Sequence, residues 1–131
     1  AEEFSTWGAD TPSRDLKSKY GYPQVYYQFL SNVFIKKHQD MIIPIPNTSH
    51  IASIILKYHK IKPNLIYIDG SHDYKDVLSD LQDYFPFLDK GEVIFGDDIS
   101  WEGVRKAVEE FCINNEISYS IEDNNFWVIR K

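Results

Sequence analysis

The chain is poor in cysteine, in basic residues and in long apolar runs, and each shortage excludes something. One cysteine in 131 residues leaves no internal disulfide. Cys112 therefore reads as a core or boundary thiol, at helical spacing behind Val108. Lys and Arg number 14 against 20 Asp and Glu, for a net charge of −6 and a pI near 5.1. That balance argues against broad binding to nucleic acid or to an anionic membrane surface, both of which need a basic face. No apolar run approaches the ~20 residues of a membrane span, and the first residues lack the layout of a signal peptide. The expectation is a cytoplasmic chain with neither nucleic acid nor membrane as partner. The start at Ala1 rather than Met gives the further expectation of a piece cut from a longer protein.

A hydrophobic content of 43% with 26% charged residues describes an ordinary globular chain, large enough for one core and not for two. Residues 1–23 carry Gly8, Pro12, Gly21 and Pro23 and read as loop, with a short strand over Glu3–Thr6. Pro23 suits the start of a helix, and Val25, Phe29 and Val33 then recur at i, i+4. Met41–Ile45 reads as a short strand whose end is fixed by Pro44 and Pro46 at a sheet edge or loop. Asn47-Thr48-Ser49 offers capping chemistry for a helix with Ile51, Ala52, Ile55 and Leu56 on its face. A helix from Tyr74 to about Leu88 buries Val77, Leu78, Leu81 and Phe85. Ser100 caps another with Val104, Ala107, Val108 and Phe111 inward. Alternating residues over 117–129, split by Glu122-Asp123-Asn124-Asn125, predict a β-hairpin. Strands alternating with helices imply a parallel sheet, here closed by one antiparallel strand.

The two remaining strands carry the functional signal. Leu65-Ile66-Tyr67-Ile68 stops on Asp69, and Val93-Ile94-Phe95-Gly96 stops on Asp97 and Asp98. Open α/β sheets bind ligands at the carboxyl ends of parallel strands. Three carboxylates at one edge repel unless they share a cation or a proton. The competing reading is that strand-end acids only cap the helices that follow.

The stretch Ile68-Asp69-Gly70-Ser71-His72-Asp73-Tyr74, then Val77, Asp80-Leu81, Leu88-Asp89-Lys90-Gly91, Gly96-Asp97-Asp98, Trp101, Gly103-Val104 and Ala107-Val108 resembles a class I S-adenosylmethionine-dependent methyltransferase family. It is the polysaccharide and natural-product type, related to macrolide O-methyltransferases and cephalosporin-hydroxylase-like proteins. Thr6-Trp7-Gly8 with Asp10 is similar to the segment after that family's second strand. The resemblance implies a Rossmann-like three-layer α/β/α fold with a mostly parallel sheet and a C-terminal antiparallel hairpin, with residues 1–131 as one N-terminally truncated domain. It implies methyl transfer from S-adenosylmethionine to a hydroxyl of a saccharide or other small polar acceptor. Asp69, Asp97 and Asp98 would hold Mg²⁺ or a similar divalent cation, and His72 with Asp69 would serve catalysis. Asn47, Thr48, Ser49, Asp69 and Gly70 would contact the cofactor. Self-association or covalent attachment to further domains is expected of such a chain.

This sequence departs from the family pattern in two places. The glycine-rich turn after the first strand is absent, and Ser5 stands where an acid usually holds the ribose. These departures imply weak or no cofactor binding by the 131 residues alone. They also support an alternative, a catalytically silent Rossmann-like remnant that serves as a binding or scaffold module.

Overall fold

A computed structural model describes residues 18–131. The strand expected at Glu3–Thr6, Ser5 and the Thr6-Trp7-Gly8 segment lie outside the described residues. The chain divides into two compact units, Ala1–Ile45 and Pro46–Lys131. In the first, β1 (Ser18–Lys19) pairs antiparallel with β2 (Tyr22–Pro23), and α1 (Gln24–Ile35) follows. Tyr20 and Gly21 both take positive φ, the conformation that a two-residue hairpin turn requires. Of α1, only Val33 is buried.

The strand expected at Met41–Ile45 does not form. The backbone amides of Met41 and Ile42 both donate to the His38 carbonyl, and Pro44 and Pro46 have no amide to offer a ladder. Local turn bonding therefore takes the donors that a strand would need.

The second unit runs α2 (Ser49–Tyr58), β3 (Leu65–Ile68), α3 (Tyr74–Tyr84), β4 (Val93–Gly96), α4 (Glu102–Asn114), β5 (Tyr119–Glu122) and β6 (Phe126–Arg130). Pro86 ends α3 earlier than its apolar pattern suggests, and Phe85–Phe87 continues as a 3₁₀ turn. Ser100 caps nothing with its side chain; α4 begins after Trp101. Thr48 does cap α2, its hydroxyl accepting from the Ile51 amide at 3.3 Å.

The sheet order is β3-β4-β6-β5. β3 and β4 are parallel, whereas β6 is antiparallel to both β4 and β5. β5 consequently runs with β3 and β4, and the hairpin reverses a single strand, as its sequence suggested. By pairing, the sheet is mixed. Ile66, Ile94 and Ile129 stand side by side in register and are buried in one cluster with Val77, Leu81, Val104 and Val108 of α3 and α4. Alternation along each strand sends Leu65 and Tyr67 to the opposite face, where both remain exposed. The helices packing in this cluster thus share one side of the sheet. Cys112 sits in the same core, as its spacing indicated.

Gly96 ends β4 opposite Trp127. A Cβ on Gly96 would lie 2.5 Å from the Trp127 ring and 2.6 Å from the Ile68 carbonyl oxygen. Glycine here lets the buried indole lie across the strand end, directly beneath the acid-bearing loops. Among the described residues no helix is long and apolar enough to cross a membrane.

Candidate active site

Parallel pairing aligns Ile68 with Gly96. Asp69 and Asp97, one residue beyond each, therefore emerge side by side. Asp69, Gly70, His72 and Asp97 line a common small hollow of about 10 Å³. The imidazole Nε2 of His72 lies 2.8 Å from Oδ2 of Asp98, with both side chains partly buried. Asp98 achieves this with a φ of +58°, unusual for a residue with a side chain. The other face of the contact is aromatic. The His72 ring stacks on Trp101 with centroids 4.5 Å apart and planes 16° from parallel.

Asp69 and Asp97 have a different partner. Two residues apart along extended chain, Tyr67 and Asp69 share a side, as do Phe95 and Asp97. The Tyr67 ring stacks on Phe95 with centroids 4.8 Å apart, and its hydroxyl lies near the carboxylates of Asp97 and Asp69. Desolvation and those two acids, Asp97 before Asp69, push the phenol up to about 12. It therefore keeps its proton at neutral pH, a neutral group beside two acids.

This arrangement bears on the expected cation. Among the described residues no three His, Cys, Asp or Glu side chains gather as a metal site requires. Asp98 pairs with His72 while Asp69 and Asp97 lie by Tyr67, so the three carboxylates do not converge. The residues as placed do not fit a shared Mg²⁺, and no chemistry below is routed through one.

The expected cofactor contacts divide as well. Ser49, Asp69 and Gly70 line one cleft of about 260 Å³, together with Tyr67, Asp80 and Tyr84. Within it the Tyr84 hydroxyl donates to the Ser49 carbonyl at 2.8 Å. Burial raises the Asp80 carboxyl, partly offset by a hydrogen bond from Ser49, while Asp76 and Asp83 add repulsion. Asn47 and Thr48 are used locally instead: Asn47 Oδ1 accepts from the Thr48 amide at 3.1 Å, and Thr48 caps α2. Asp73 occupies the position before α3 without a side-chain cap bond, and its amide donates to Ser71 Oγ at 3.0 Å.

Sequence reasoning missed Tyr67, Asp80 and the stacking role of Trp101. Period-two alternation would have put Tyr67 beside Asp69, because both lie on one side of the strand. Nothing in the spacing of Trp101 announces a partner 29 positions upstream.

A family model described as a methyltransferase domain matches residues 17–99, more than half of the chain. No curated protein sequence matches. The apo structure of CalS11, a TDP-rhamnose 3'-O-methyltransferase of calicheamicin biosynthesis, is similar with a TM-score of 0.61 at 16% identity. That match covers 83% of this chain and 52% of CalS11. The structure of the O-methyltransferase NovP matches with a TM-score of 0.48 at 15% identity, over 53% of this chain and 30% of NovP. The chain thus spans about half the length of the CalS11 structure and under a third of NovP.

Proposed function

Because the chain belongs to the methyltransferase domain family, we propose that it takes part in methyl transfer from S-adenosylmethionine to a hydroxyl of a saccharide or similar small polar acceptor, with His72 as the general base. The sheet shared with CalS11 suits a Rossmann-like reading, in which the carboxyl ends of β3 and β4 face the reacting groups. The observation that carries the proposal is the 2.8 Å contact between His72 Nε2 and Asp98. An ionised carboxylate only accepts hydrogen bonds, so Nε2 carries the hydrogen and Nδ1 keeps its lone pair. Nδ1 is the atom that takes the acceptor's proton.

S-adenosylmethionine would supply a methyl group on a positively charged sulfur. Ser49, Asp69 and Gly70 would hold its polar parts, since they line one cleft beside the strand ends. With the methyl carbon passing from that sulfur to the acceptor oxygen, the acceptor's proton would go to His72 Nδ1. Asp98 then faces an imidazolium, whose charge it offsets. Tyr67 stands beside Asp97 and Asp69 as a neutral group.

The test is transfer of labelled methyl from excess S-adenosylmethionine to a panel of sugars and small hydroxyl compounds. His72→Ala and Asp98→Asn should lower turnover by about 10²–10⁴-fold, the usual worth of a positioned base. Turnover unchanged in both variants would remove His72 from the chemistry. A chain that folds and binds the cofactor without transfer to any acceptor would favour the binding-module alternative.

A further inference from the structure

The turn after β4 delivers two different groups to one imidazole. Trp101 donates its backbone amide to the Asp98 carbonyl at 2.9 Å, closing the turn Asp98-Ile99-Ser100-Trp101. Ile99 anchors that turn in the core, and its amide donates to the Asn125 carbonyl at 3.2 Å. From this frame Asp98 reaches His72 in the ring plane, while Trp101 covers the ring's face. A single hydrogen bond at Nε2 leaves the imidazole free to roll about the line joining it to Oδ2. A flat surface at stacking distance removes that freedom. We propose that Trp101 is a positioning residue that fixes the plane of the His72 ring, so that Asp98 and Trp101 together hold Nδ1 in one direction. The inference rests on the reading of His72 as the base and adds the group that aims it.

A further contact supports it. A Cβ on Gly103 would collide with the His72 carbonyl oxygen and lie 3.0 Å from the Tyr74 amide nitrogen. The start of α4 therefore presses against the backbone of the His72 loop. Trp101 itself is 52% exposed, so its stacking on His72 is not a by-product of core burial.

Trp101→Leu keeps bulk and removes the flat face, whereas Trp101→Phe keeps one. Two readouts apply to both variants: carbon-13 relaxation of the His72 ring, which reads how freely the ring moves, and kcat and KM measured separately. Wild type and Trp101→Phe should show a ring as ordered as the neighbouring backbone. Trp101→Leu should keep the hydrogen on Nε2 that Asp98 sets but show a mobile ring, with kcat lower by about 10- to 100-fold and KM unchanged, the signature of a misaimed group. A ring as ordered in Trp101→Leu as in wild type would overturn the proposal, because Asp98 alone would then suffice. A raised KM with unchanged kcat would overturn it too, placing Trp101 against the acceptor instead. His72→Ala separates the two ideas. Full turnover in that variant would end the base reading, while the comparison of ring mobility would still decide whether Trp101 orients the ring.

Discussion

Gly103 packs its α-carbon against the carbonyl oxygen of His72, so closely that no side chain fits between the first turn of α4 and the loop after β3. Alanine in an exposed helix normally gains about 1 kcal/mol over glycine. Here the sign should reverse. Gly103→Ala must push the His72–Tyr74 backbone outward, an overpacking cost of about 1–3 kcal/mol. Urea denaturation should give a lower midpoint, and the His72–Asp98 contact should loosen. A stabilised variant would mean the loop yields without resistance.

Asp98 separates stability from function. Its φ of +58° is tolerated by glycine without penalty, whereas alanine must bear the strain with no carboxylate to offset it. Asp98→Gly should therefore unfold at a higher urea concentration than Asp98→Ala, by about 1 kcal/mol. Both should lose the aim of His72 and lower turnover equally. Equal stabilities would show that the turn relaxes to an ordinary conformation once the carboxylate is gone.

Asp80 should carry a pH signature. Burial raises its folded pKa above the unfolded value, so the unfolded chain gives up the proton first as pH rises. Its contribution to stability is full below the unfolded pKa and is lost as pH climbs through the folded one. Asp80→Asn should accordingly stabilise the fold at pH 7, and the gain should shrink as pH falls through the carboxylate range. Paired urea curves at neutral and acid pH measure it. A gain independent of pH would point to packing rather than charge.

Cys112 offers a probe of global opening. Burial pushes its thiol up to about 11, and the side chain lies within the core of α4. Little thiolate exists at pH 8, and reagent reaches it only when the core opens. Alkylation should be negligible in native buffer and should rise along the same urea curve as circular dichroism. Rapid labelling of folded protein would show that α4 frays independently.

Much of the second unit was readable because its signals are short-range. Leu65–Ile68 and Val93–Gly96 are compact apolar runs that stop on acids, and the 117–129 alternation brackets an obvious turn. Helices α2, α3 and α4 follow apolar faces at helical spacing. The failures come from competition that spacing does not record. Met41–Ile45 has strand-like residues, yet its amides are taken by His38 and its prolines have none. The candidate site divides along the same line. Asp69, Asp97, Asp98 and His72 were identified from strand ends and motif. That Asp98 would face His72 while Tyr67 takes the other two depends on one left-handed residue and on side-chain reach, which a linear pattern does not encode.

Among the described residues β3 pairs with β4 alone. Among the described residues no strand pairs with its outer edge, and Leu65 and Tyr67 are 61% and 47% exposed beside it. Natural edge strands blunt themselves with lysine, proline or a bulge, and Leu65-Ile66-Tyr67-Ile68 holds none of these. Such an edge is a template for self-addition. Preparations of this chain should gain intermolecular β-structure as concentration rises, and a lysine at Leu65 should suppress that growth while leaving the buried Ile66 row intact.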